Sequence, residues 1–199
     1  MKTLFKISTL LIVVLLLFNC HGAKYKYSFE SNNYGVDFRD GKWALNEIET
    51  SYLIKDKLEE KAFIFFEEYL GRQLVLSKNN KDIFLPFIPV NPDKLKLQKI
   101  KQETGLDFVI NIVTEKGRND MNVVQIGDIN SKKSNVAKLT LEIYDLNTLE
   151  ISNHYEITGD VTVENSNRDL SFATSQDQIL IKGLKKILKK IKKKSLISK

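Results

Sequence analysis

The chain has 199 residues, 42% of them hydrophobic with 11 Phe, a formal net charge of +6 and one cysteine. That apolar content excludes a disordered chain, and a single cysteine excludes a disulfide framework. The charge is uneven: residues 182–199 hold nine Lys and no acid, whereas residues 20–181 hold 20 Lys and Arg against 25 Asp and Glu. Basicity therefore belongs to the C-terminal end, which argues against a nucleic-acid-binding domain face.

Lys2 and Lys6 precede the unbroken apolar run Leu10–Phe18. The run is too short to span a bilayer, which needs about 20 apolar residues. A basic start followed by a short apolar stretch is the pattern of a signal peptide. Leu17-Phe18-Asn19-Cys20 resembles a bacterial lipobox, with a leucine three residues before the cysteine, although Phe18 and Asn19 replace the usual small residues. That resemblance implies cleavage before Cys20 and lipidation of its thiol. The rival is ordinary cleavage after Cys20-His21-Gly22, which would give a secreted protein. An unpaired thiol in an oxidising compartment is a liability unless it is acylated or removed. The expected organisation is a signal peptide over 1–19, a polar tether over 20–35, one domain over 36–192 and a basic tail over 193–199.

Along the domain, VDFRDGKWALNEIE reads as a hairpin turning at Asp40-Gly41. ETSYLIKDKLEEKAFIFFEEYLG reads as a helix, capped by Thr50 or Ser51 and ended by Gly71. Its stripe is Ile54, Leu58, Ala62, Phe65 and Tyr69, widened by Phe63, Ile64 and Phe66. RQLVLS is a short strand. IFLPFIPVNP is apolar, but Pro86 and Pro89 exclude a central strand. It is either a loop packed across the core edge or an exposed apolar patch that receives a partner, with Phe84, Phe87 and Ile88 as the contact candidates.

A short helix follows, with Asn91 as cap, Pro92 first and Gly105 at its end. LDFVINIVTE is a near-continuous apolar strand, and residues 116–135 read as a polar loop. In AKLTLEIYDLN, Leu139, Leu141 and Ile143 face one way and Thr140, Glu142 and Tyr144 the other. Asp145-Leu146-Asn147-Thr148 turns the chain into a strand with Leu149, Ile151, Tyr155 and Ile157 inward. The last helix places Leu180, Leu184, Ile187, Leu188 and Ile191 on one face and its lysines elsewhere. The fold class is α+β: one domain with a mixed sheet and packed helices, in the order strand-helix-strand-helix-strand-strand-strand-helix.

No catalytic constellation emerges. His154 lies on the outward side of its strand by alternation, as a solvated residue, and a triad or zinc site lacks further ligands. No Gly-rich phosphate loop is present. Asp145, Asp160 and Asp169 are acids that folding could bring together. No cofactor or metal is expected. The final helix either closes the domain or lies on anionic lipid, with Lys189, Lys190, Lys192, Lys193 and Lys194 as membrane or polyanion candidates.

Three stretches carry a family resemblance. IKQETGLDFVINIVTEKG is similar to a helix ending in Gly before an apolar strand, AKLTLEIYDLNTLEISNHYEITGDV to a strand pair around an Asp-x-x-Thr-Gly turn, and QDQILIKGLKKILKKI to a closing helix. Together they resemble the periplasmic domain shared by curli-secretion lipoproteins, lipoprotein activators of penicillin-binding proteins and the TolB amino-terminal domain. Leu149 stands where the turn's Gly is usual, Asn111 to Thr114 lack the group's strand Gly, and residues 83–92 look like an insertion. The resemblance implies a non-catalytic envelope lipoprotein, held on the outer membrane or a periplasm-facing membrane, that binds or assembles a protein or peptidoglycan partner. Two alternatives are a secreted membrane or polyanion binder acting through the Lys-rich helix, and a hydrolase with a carboxylate-only site.

Overall fold

The structure, a computed structural model, describes residues 22–30, 35–79, 83–119, 132–164 and 174–195. Cys20, the signal segment, Asp169 and residues 196–199 lie outside them. The strands are β1 (Lys24–Glu30), β2 (Trp43–Leu45), β3 (Leu74–Leu76), β4 (Phe108–Asn119), β5 (Lys132–Asp145) and β6 (Glu150–Glu164). The helices are α1 (Tyr52–Leu70), α2 (Lys94–Thr104) and α3 (Gln176–Lys194). The strands form one mixed sheet in the order β1-β6-β5-β4-β2-β3. It is antiparallel from β1 to β4, and β2 pairs parallel with both β4 and β3.

Both faces of the sheet are covered. On the first, α1 and α3 pack against Leu139, Leu141, Ile143, Tyr155 and Ile157. On the second, α2 and the 83–91 segment pack around Ala44, Val109 and Tyr144. Double coverage explains why β4 is buried on both sides over Phe108–Ile112. Gly159 lets α3 approach: a Cβ there would stand 2.3 Å from Ile179 Cγ2 and 2.9 Å from a Tyr25 ring carbon.

Four expectations need correction. The Asp40-Gly41 hairpin does not form, because Trp43–Leu45 pairs parallel with β4, where all three residues become buried. Phe38 instead stacks on Tyr69, with ring centroids 4.5 Å apart. The tether is not a tether over 24–30: KYKYSFE is an edge strand on β6, and Tyr25 Oη donates to the Ile179 carbonyl at 3.2 Å. The cap of α2 is Asp93, whose carboxylate accepts from Lys96 N at 2.7 Å, and Asn91 sits earlier, at φ +56°. Residues 116–119 and 132–135, expected in a loop, are strand, since β4 runs to Asn119 and β5 starts at Lys132; residues 120–131 lie outside the described residues.

The strand after the turn also differs. Tyr155 and Ile157 join the first-face core, but Leu149 and Ile151 pack on the second. Register shifts within the β5–β6 pair, where Ile143 opposes Asn153 and Tyr144 opposes Ile151. Ser152 is the extra residue, and such a bulge exchanges the faces on either side of it.

Candidate functional site

The 83–91 segment lies on the second face of the sheet. Leu85 and Ile88 are buried there with Leu97, Ile100 and Tyr144. Ile88 is fully buried, so it is an anchor of the segment and cannot touch a partner, which corrects its place among the contact candidates. Phe84 and Phe87 point the other way, 82% and 55% exposed.

Prolines leave a segment few backbone donors, so its stability depends on what its carbonyls find. Here the sheet supplies side chains. Asn111 Nδ2 donates to the Ile88 carbonyl at 2.9 Å, Tyr144 Oη reaches the Pro89 carbonyl at 3.4 Å, and Asn46 Nδ2 reaches that of Pro86 at 3.5 Å. The Asn91 amide donates to Glu142, at 3.0 Å from Oε2 and 3.3 Å from Oε1.

These side chains form one buried network. Asn46 Nδ2 donates to Asn111 Oδ1 at 3.1 Å, Asn111 Nδ2 to Tyr144 Oη at 3.0 Å, and Tyr144 Oη to Glu142 Oε2 at 2.7 Å. His154 Nδ1 lies 2.7 Å from Glu142 Oε1. Burial, reinforced by the neighbouring Glu142 charge, pushes the Tyr144 hydroxyl far above the usual tyrosine range and keeps it a donor. His154 is therefore not a solvated strand residue: its side chain is 15% exposed and its partner Glu142 is 1% exposed.

Sequence reasoning missed Glu142, Tyr144, Asn111 and Asn46. Alternation put Glu142 and Tyr144 on the side opposite the core, which implies solvent only if nothing covers that side. One signal was present: Asn111 interrupts the apolar run Phe108–Val113, and a polar residue in a doubly covered strand needs buried partners.

Of the three candidate acids, Asp169 lies outside the described residues, and Asp145 and Asp160 do not converge. Asp145 closes the β5–β6 turn, its Oδ1 accepting from Asn147 N at 2.9 Å and Thr148 N at 3.2 Å. Asp160 is exposed and pairs in register with Val136. Val136 stands nine residues before Asp145 on β5, about 30 Å away, so these two carboxylates form no pair. Among the described residues no group of His, Cys, Asp and Glu could hold a metal ion.

α3 buries its apolar stripe against the sheet, with Ile179, Leu180, Leu184, Ile187 and Ile191 at 0–1% exposure. That stripe cannot also enter lipid, so any contact of α3 with a membrane surface falls to its lysines and not to its apolar face. Lys190 Nζ sits 3.7 Å from the Tyr27 ring centroid, and Lys192 Nζ pairs with Glu68 at 3.0 Å. Lys189 and Lys193 are exposed, and the Lys194 carbonyl accepts from Gly35 N at 2.9 Å. No helix among the described residues is long and apolar enough to cross a membrane.

No family model matches the chain, and no curated protein matches it. Solved structures align over most of its length at low identity. PelC from a Paraburkholderia phytofirmans dodecamer is 13% identical, with 87% of this chain and 99% of that one covered and a TM-score of 0.43. Lipoprotein GNA1162 from Neisseria meningitidis is 17% identical, with coverages of 76% and 99% and a TM-score of 0.35. A DUF330 protein from Xanthomonas campestris is 10% identical, with coverages of 80% and 86% and a TM-score of 0.36.

Proposed function

We propose that this protein is a non-catalytic component of the bacterial cell envelope, anchored by lipid on Cys20, that holds a protein partner through Phe84 and Phe87. The observation that carries the reading is the construction of the 83–91 segment. Two large aromatic side chains are held in water by a backbone that buried Leu85, Ile88, Glu142 and Asn111 fix from below. Exposed aromatics cost solvation, and a rigid pair of them is the usual chemistry of a binding hot spot. Because the segment is already ordered, little further entropy is lost when a partner arrives. The signal segment and Leu17-Phe18-Asn19-Cys20 support the envelope location and the anchor.

The intact mass of the protein from its native membrane fraction tests the anchor. A mass of residues 20–199 plus acyl chains is expected; a mass beginning near Ala23, recovered in soluble form, would remove it. Docking is tested by cross-linking in native envelopes, where the adduct formed by the wild-type protein should be absent from a Phe84→Asp, Phe87→Asp variant of equal abundance and thermal stability.

A further inference from the structure

Lys182, Lys185, Lys189 and Lys193 recur at spacings of three, four and four along α3, so they share one helical face. All four are exposed, and none has an ion-pair partner among the described residues. The stripe is about 16 Å long and contains no acid. It is distinct from Lys190 and Lys192, which Tyr27 and Glu68 engage. It is also distinct from the apolar stripe of the same helix, which the sheet consumes. Lys186 borders it, 4.9 Å from the Tyr25 ring centroid.

We infer that this stripe rests on an anionic bilayer surface and turns the 83–91 segment away from it. Four exposed lysines in a row, without a carboxylate among them, are complementary to a plane of anionic headgroups. The entry of the chain points to the same occupant. Tyr25 of β1 bonds to Ile179 in the first turn of α3, so the chain comes into the fold beside the start of the stripe. Lys24 stands four residues after Cys20, a reach of about 14 Å. A membrane-held N-terminus thus brings the stripe within contact of the same membrane, and basic residues strengthen an anchor through a second, additive attraction. The 83–91 segment packs on the second face of the sheet and α3 on the first, so the two surfaces look in opposite directions. The orientation does not depend on what Phe84 and Phe87 bind.

Amine labelling of the full chain reconstituted in vesicles tests this. Acetylation rates at each lysine would be followed by mass spectrometry in phosphatidylcholine vesicles with and without phosphatidylglycerol. With phosphatidylglycerol at low salt, Lys182, Lys185, Lys189 and Lys193 should react severalfold more slowly, and high salt should restore their rates. Lys94 and Lys99 on α2 serve as references and should not change. Equal rates in the two vesicle types would overturn the inference. So would protection of the stripe by soluble heparin without protection by phosphatidylglycerol, because the occupant would then be a soluble polyanion.

Discussion

Both carboxylate oxygens of Glu142 face the Asn91 amide, at 3.0 and 3.3 Å, although the two residues are 51 apart in sequence. This contact ties the end of the proline-containing segment to the middle of the sheet. Glu142→Gln keeps the shape but removes the charge and replaces one acceptor by a donor. It should cost about 1–3 kcal/mol in denaturant unfolding and speed hydrogen exchange at the Asn91 amide. Glu115→Gln, at an exposed position on β4, should stay within about 0.5 kcal/mol of wild type.

Neighbouring residues of the segment should behave in opposite ways. Phe84→Asp and Phe87→Asp replace exposed rings and should leave thermal stability nearly unchanged. Ile88→Ala removes a fully buried side chain and should cost about 2–4 kcal/mol. Unfolding by Phe87→Asp would make residue 87 a core position.

Leu149 holds φ +58° in the turn between β5 and β6. An L-residue there is strained by about 1–2 kcal/mol. The half-buried leucine gives back part of that through its contact with the second core. Leu149→Gly should therefore raise stability by up to about 1 kcal/mol, and Leu149→Val, branched at Cβ, should lower it by about 1 kcal/mol or more. Urea midpoints of the two variants would check both signs.

Asp107 accepts from Lys101 Nζ at 2.7 Å and from the Lys42 amide at 2.9 Å. Those bonds, the one from Lys101 first, hold its carboxyl below the usual aspartate range. A depressed folded-state value means stability that is present above the unfolded value of about 3.9 and lost as pH falls through the folded one. Asp107→Asn should lower stability at neutral pH and flatten the acid limb of the stability profile. Melting temperatures taken from neutral pH down to pH 3 would show whether the wild-type and variant curves converge.

What the sequence disclosed follows a physical division. α1, the apolar β4 and the stripe of α3 were legible because their periodicity reports which side meets the core. The α+β class and the closing role of α3 follow from them. The parallel pairing of Trp43–Leu45 was not legible, since a three-residue apolar strand reads the same beside either neighbour. The role of KYKYSFE was hidden because an edge strand with one polar side looks like a tether. The network around Glu142 was missed for a related reason: alternation separates two faces, and only the tertiary fold shows that α2 and the 83–91 segment bury the second one.

Photo-cross-linking from within the segment tests the central claim most directly. A photoreactive amino acid placed at position 84 or 87 of the chain in its native envelope should give one discrete adduct. The same group at position 53, where Leu53 is 82% exposed on α1, should not give that adduct. Adducts equally abundant from all three positions, or none from 84 and 87, would contradict a docking role for this segment.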